Sequence, residues 1–253
     1  GEPAYRELER GEDRKEEPER DPLEPIDPTA EDVVVEDDDR EELGQKYNVD
    51  LDDEDVTVFE GNFSVTEDGT QLLVIEQTKR MTVYSHDRKL AELELDGQPG
   101  VEGFEELDFE ADQLEPRAVR LVKDDTFQVM LFWREEDDEG EFAYKVAAFK
   151  PIGEFIGRIF ERTLATRAGE DEELERRGAF EVLRGDDDRF VRWIPADDNG
   201  ELLTDEAEIL EWNKWEGVYR VPEPPPTAPD DEDLRSGLHP AMAPGAIGSS
   251  KPL

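Results

Sequence analysis

The sequence predicts a mainly β protein of the α+β class. Antiparallel hairpins would form a sandwich or a partial propeller-like sheet, backed by one principal amphipathic helix at about 151–168. Three observations carry that expectation. Apolar runs of strand length recur between residues 56 and 221, separated by turn residues. The most apolar run, 126–133, is broken by an acidic turn at 135–140 and resumes at 142–149, which reads as a central hairpin. Ile152, Phe155, Ile156, Ile159, Phe160, Thr163 and Leu164 then fall at i, i+3, i+4 and i+7 spacing, which reads as a helix.

Residues 1–55 hold 24 acidic and 7 basic residues, with Pro3, Pro18, Pro22, Pro25 and Pro28 spread among them. High net charge with few apolar residues does not bury enough surface to offset chain entropy, so this segment reads as a disordered acidic arm. Within it, residues 5–10 could form a helical turn on a partner, and Val33, Val34 and Val35 could dock as a strand.

A globular domain is expected over 56–221. Residues 56–65 and 71–76 form its first hairpin around a turn at 66–69. Residues 81–84 and 90–95 form a second around the polar turn 85–88. Leu90, Leu93 and Leu95 do not share one face, which leaves that register open. Residues 101–109 read as a short strand with interspersed acids. Val119 leads through Asp124 and Asp125 into the central hairpin. There Phe127, Val129, Leu131 and Trp133 share one face and Met130 and Phe132 the other, so this strand should be covered on both sides. Pro151 suits a first helical position, and Gly169 a stop. Gly153 and Gly157, four apart, would let a strand approach closely.

Residues 170–177 read as a charged helical turn, and 179–183 as a strand or an extension of that turn. Residues 190–194 are a strand. The Asp197-Asp-Asn-Gly200 sequence is the strongest hairpin signal in the chain, because Asn-Gly tolerates positive φ. Residues 209–212 and 217–221 complete the domain, and the Pro-rich segment from Pro222 opens a disordered tail over 222–253.

Composition limits the function classes. The net charge is −42 over 253 residues, with 40% charged and 35% hydrophobic. Nucleic acid and direct anionic-membrane contact are disfavoured, since phosphate contacts need clustered Lys and Arg. Protein partners, basic ones among them, are expected instead. Arg outnumbers Lys 20 to 9. With the acid excess, this suits a halo-adapted cytoplasmic protein, one alternative to the leading reading. The absence of cysteine removes disulfides, thiolate metal sites and Cys nucleophiles. No run approaches the ~18 apolar residues of a membrane-spanning helix. The chain starts at Gly1, from which a removed export or lipid-anchor signal, and so an extracytoplasmic envelope setting, is expected.

No catalytic, metal or cofactor-binding residue is assigned. His86 and His239 are the two histidines and lack metal-ligand spacing. Gly-x-Ser-x-Gly and the Gly-x-x-x-x-Gly-Lys phosphate loop are absent. A calcium loop aligned on Gly200 begins at Pro195, and one aligned on Gly140 ends at Val146, so both fail. Weak divalent-cation binding is an expectation at 186–188 or at Asp197 and Asp198. A carboxylate-dependent hydrolase is a further alternative. Asn62-Phe-Ser64 matches a glycosylation pattern inside an expected strand.

One cluster reads as a binding surface: Trp193, Trp212, Trp215 and Tyr219, with Arg192 and Arg220 nearby. The alternative is that these rings close one end of the core. The leading expectation is a non-catalytic structural or protein-binding module tethered by its acidic arm. It would serve in a cell envelope or a larger assembly such as a virion.

Overall fold

The computed structural model describes residues 23–222, apart from 52–55, 66, 68, 77–79, 87, 96–97, 100–103, 108, 110–113, 170–171 and 186–187. The first described residues carry β1 (Glu24–Ile26) and the helix α1 (Arg40–Tyr47). A meander follows: β2 (Val56–Gly61), β3 (Gln71–Glu76), β4 (Arg80–Ser85) and β5 (Arg88–Glu94). Next come β6 (Gln98–Pro99), β7 (Arg117–Val119), β8 (Gln128–Glu136), β9 (Phe142–Ile152), β10 (Phe155–Arg167) and β11 (Glu175–Arg176). The last group is β12 (Gly178–Arg184), β13 (Arg189–Pro195), β14 (Glu208–Asn213) and β15 (Val218–Arg220).

Every strand pairing among the described residues is antiparallel, and the strands fall into three sheets. β2 to β5 form one in sequence order, and β11-β10-β9-β8-β6, with β7 also on β8, form the second. The order β1-β12-β13-β14-β15 makes the third. The mainly β, antiparallel expectation therefore holds.

The second sheet is the middle layer, and β8 explains why. Its Val129, Leu131 and Trp133 enter a core shared with Leu73, Ile75, Met81 and Val83 of the first sheet. Met130 and Phe132 point the other way, into a core shared with Val182, Val191, Trp193, Leu210 and Tyr219 of the third. A strand with bulk on both faces has to be covered twice, at ~1.5–3 kcal/mol for each large side chain buried. On the outer face of the first sheet, Val56, Val58, Leu72 and Val74 pack under Leu43 and Tyr47 of α1.

The helix expected at about 151–168 is a strand. β10 pairs with β9 across a two-residue turn, Gly153-Glu154, in which Gly153 takes φ 61°. Positive φ at the first central position is what a type II′ hairpin turn needs. Register shifts occur between Arg158 and Phe160 and between Thr163 and Ala165. A bulge adds one residue and flips the alternation. Ile159 and Phe160 are thus both buried, and so are Leu164 and Ala165. Two slips in a period of two mimic the three-and-four spacing of a helix. Gly157 mediates no close approach: an added Cβ would first meet Ile152 Cδ1 at 3.4 Å, an ordinary contact.

The disordered arm expected over 1–55 is, over residues 23–51, built into the fold. Ala30, Val33, Leu43, Tyr47 and Leu51 are all buried. Thr29 bridges Val119 and Val34 bridges Phe59, so this segment straps the first and second sheets together. The docking of Val33–Val35 is thereby realised in part, with Val35 N donating to Val58 O at 3.1 Å. α1 ends where Asn48 enters the left-handed region at φ 55°. The rest of the arm, the turn at 5–10 and the tail from 223 lie outside the described residues.

Smaller corrections follow. Residues 101–109, expected as a strand, hold a 3-10 turn at Phe104–Leu107. The helical turn expected at 170–177 is replaced at its described end by β11. The strand expected at 179–183 is β12, and the turn at Asp197–Gly200 is present, with Gly200 at φ 79°.

One buried device occurs twice. Gln71 Oε1 accepts from Phe63 N at 2.7 Å and Ser64 N at 3.0 Å, and its Nε2 donates to Gly69 O at 2.6 Å. Gln128 Oε1 accepts from Leu121 N at 2.7 Å and Val122 N at 3.0 Å, and its Nε2 donates to Thr126 O at 2.8 Å. Each glutamine opens a strand and satisfies the amides of the loop that precedes it.

Candidate binding surface

The β14–β15 hairpin is joined by a turn whose backbone is tightly held. Asn213 Oδ1 accepts from Trp215 N at 2.9 Å and Glu216 N at 3.2 Å. Gly217 N donates to Asn213 O at 2.8 Å, and Gly217 takes φ 70°. At the tip of this fixed turn the Trp215 side chain is 86% exposed. Lys214 Nζ stands 5.0 Å from the centre of its ring. The indole belongs to none of the core clusters of the described residues.

The other sequence-predicted residues divide between core and rim. Trp193 is buried in the core between the second and third sheets, with Arg162 at 5.9 Å from its ring. Trp212 pairs across the strands with Tyr219, their rings 5.7 Å apart, and is partly buried. Tyr219 is buried, and its hydroxyl donates to Leu121 O at 2.7 Å. Burial pushes that phenol well above its ordinary range. Arg192 pairs with Glu181 across β12 and β13, and Arg220 with Glu216 at 2.9 Å. Closure of the core accounts for Trp193 and Tyr219. The surface reading is left with Trp215, in the turn between the strands that carry Trp212 and Tyr219.

Some acidic groups elsewhere are engaged within the fold. Asp197 Oδ1 accepts from Asn199 N and Glu201 N, both at 2.9 Å. Those bonds, with Asn199 Nδ2 donating to Oδ2 at 3.2 Å, hold its carboxyl below its ordinary value. Asp186 and Asp187 lie outside the described residues. Among the described residues no group of three or more His, Cys, Asp or Glu side chains is disposed to hold a metal ion. His86 sits in a turn at φ 54°, 3.2 Å from Ser85 Oγ through Nδ1. A cavity of about 300 Å³ is lined by Asp32, Asp39, Glu42 and Glu60, and Lys46 bonds Glu60 there at 2.5 Å. Asn62 of the glycosylation pattern donates to Asp125 O at 3.0 Å, and Ser64 is buried.

Sequence reasoning missed a cationic corner near the Tyr219 hydroxyl, because its residues are scattered: Arg120, Lys123 and Arg189. A hint was the pair of arginines, Arg184 and Arg189, flanking one short turn. Compared with known proteins, the chain matches no family model, and neither curated proteins nor solved structures give a significant match.

Proposed function

We propose that the protein is a non-catalytic protein-binding module that engages its partner through the β14–β15 tip, with Trp215 as the anchor. The acidic arm tethers it within a cell envelope or a larger assembly such as a virion. The observation that carries this reading is the exposed indole on an immobilised turn. Aromatic anchors supply a disproportionate share of interface energy, and pre-ordering them lowers the entropy lost on association.

The state of the carboxyls supports a binding role over hydrolysis. An acid–base pair needs one carboxyl raised toward neutrality. Among the described residues the displaced carboxyls, Asp27, Glu92, Glu135 and Asp197, all move downward.

The test is affinity capture from the source organism with the full chain, a Trp215→Ala variant, and a chain lacking both termini. A partner held by the full chain and lost from Trp215→Ala, with the variant's unfolding midpoint unchanged, is the expected result. Equal capture by both refutes the anchor. Capture unaffected by removing the termini refutes the tether while leaving the anchor standing.

A further inference from the structure

Six large apolar side chains are exposed among the described residues, and four of them, Leu23, Val65, Phe155 and Trp215, stand at one end of the sheets. The register puts them there. Phe155 opens β10 and pairs with Ile152, the last residue of β9, so it marks one end of the middle sheet. Lys150, two residues before Ile152, bonds Thr126 Oγ1 at 2.5 Å and brings the loop before β8 to that end. The same loop meets Asn62, whose Nδ2 donates to Asp125 O at 3.0 Å and whose carbonyl accepts from Phe127 N at 2.8 Å. Val65 stands three residues past Asn62.

The third sheet ends there as well. The Tyr219 hydroxyl reaches Leu121 O at 2.7 Å, and Tyr219 pairs with Trp212, three residues short of Trp215. β14 runs toward this end, since its first residue, Glu208, lies 3.7 Å from Arg162, well inside β10. Leu23 joins at the β12–β13 turn, where its Cδ2 would stand 3.4 Å from a Cβ placed on Gly185. The turns at the opposite end, 137–141 and 197–200, expose carboxylates and no large apolar side chain. Apolar side chains scattered singly over a surface need no explanation, but their gathering at one end marks an interaction site.

Charge selects the occupant. The chain carries −42, and residues 1–22, which join the fold at this end through Leu23, hold nine acidic and five basic residues. Such a body draws in a cationic surface and repels an anionic one, a second copy of itself included. We propose that this end is a single interface, which engages a protein whose face offers apolar pockets bordered by Lys and Arg; this extends the Trp215 reading to the loops of all three sheets and rests on it. Aromatic side chains seated in pockets supply the affinity, and opposite charge speeds the encounter.

The test places the photo-crosslinking residue p-benzoylphenylalanine at Trp215, at Phe155 or, in the opposite turn, at Asp198 of the full chain, and irradiates each in the source organism. All three side chains are exposed, so each variant should keep the unfolding midpoint of the unaltered chain. Val65 takes the place of Phe155 should that midpoint fall. The expected result is one protein crosslinked from both tips and not from Asp198, with Lys and Arg exceeding Asp and Glu in its crosslinked peptides. Phe155→Ala should then lower the crosslinking yield from Trp215 at least ~10-fold, the cost of truncating one aromatic anchor. A protein caught from Trp215 alone, different proteins from the two tips, or an unchanged yield in Phe155→Ala overturns the shared interface and leaves the Trp215 anchor standing. No protein from either tip overturns both. Lipid, a second copy of the chain or an acid-rich peptide at both tips overturns the cationic protein partner, as does equal capture from Asp198.

Discussion

Replacing Gln128 with Leu removes a side chain that is fully buried at the start of β8. Its Oε1 is the acceptor for two backbone amides, Leu121 N and Val122 N. Its Nε2 donates to Thr126 O at 2.8 Å and Thr126 Oγ1 at 3.2 Å. Leucine fills nearly the same volume, so little cavity forms. It leaves two buried N–H groups without an acceptor, each costing ~1–3 kcal/mol. Greater burial of apolar surface returns ~1 kcal/mol. The expected net loss is ~2–4 kcal/mol. Urea unfolding followed by tryptophan fluorescence measures it, with an unchanged m-value showing that the midpoint reports stability. Gln71→Leu should cost a similar amount, because the bonding is the same. Gln45→Leu, on the exposed face of α1, should change stability by less than ~0.5 kcal/mol. Losses under ~1 kcal/mol in both buried variants would refute the amide-satisfaction argument.

Three other expectations are independent of this one. Gly178→Ala should cost ~1–3 kcal/mol in the same urea assay, since its Cβ would stand 2.3 Å from Trp193 Cζ2 and 2.6 Å from Ile194 O; a neutral effect would mean that β12 and β13 shift apart freely. Trp215→Ala should alter stability by less than ~0.5 kcal/mol and remove the emission most readily quenched by acrylamide; an unchanged quenching profile would contradict the exposure of the indole. Burial alone would raise the Glu135 carboxyl, but the Lys145 and Trp133 donors, with the charges of Lys145 and Arg158, outweigh it and hold it below 4.5. The stability this supplies is intact above 4.5 and fades as pH falls through the lower folded value. Lys145→Met should therefore flatten the acid limb of stability against pH, and an equally steep limb would count against the pair.

The two-sided character of β8 was legible because alternation puts large side chains on both faces of one uninterrupted strand. Alternation misled where bulges intervened. In β10 it imitated a helix. In β5, Tyr84 pairs with Lys89 and Val83 with Ala91, which leaves Leu90 as the extra residue. Strict alternation sets Leu90 apart from Leu93 and Leu95, and that slip brings all three against the core between the first and second sheets. Averaged composition hid residues 23–51, where a few apolar anchors are spread thinly among acids. The aromatic cluster was legible as a cluster, but not which ring faces water. Trp212 occupies a strand while Trp215 occupies the turn beyond it. The cationic corner was not legible, since Arg120 and Arg189 meet only through the packing of separate sheets.

The strap has a consequence for how the chain is made. Two of its partners come much later in the sequence than Phe59, the partner of Val34: Thr29 awaits Val119, and Ile26 of β1 awaits Val182. On a ribosome β1 and Thr29 would emerge well before the strands they pair with, and would find those edges only after much of the body had followed. Residues translated before their partners would thus dock after them, with their unpaired backbone open to proteases and chaperones in the interval. A cleavage among residues 27–36 would leave the later sheets free to form, yet free two exposed edges, those of β2 and β7, for pairing with a neighbouring chain.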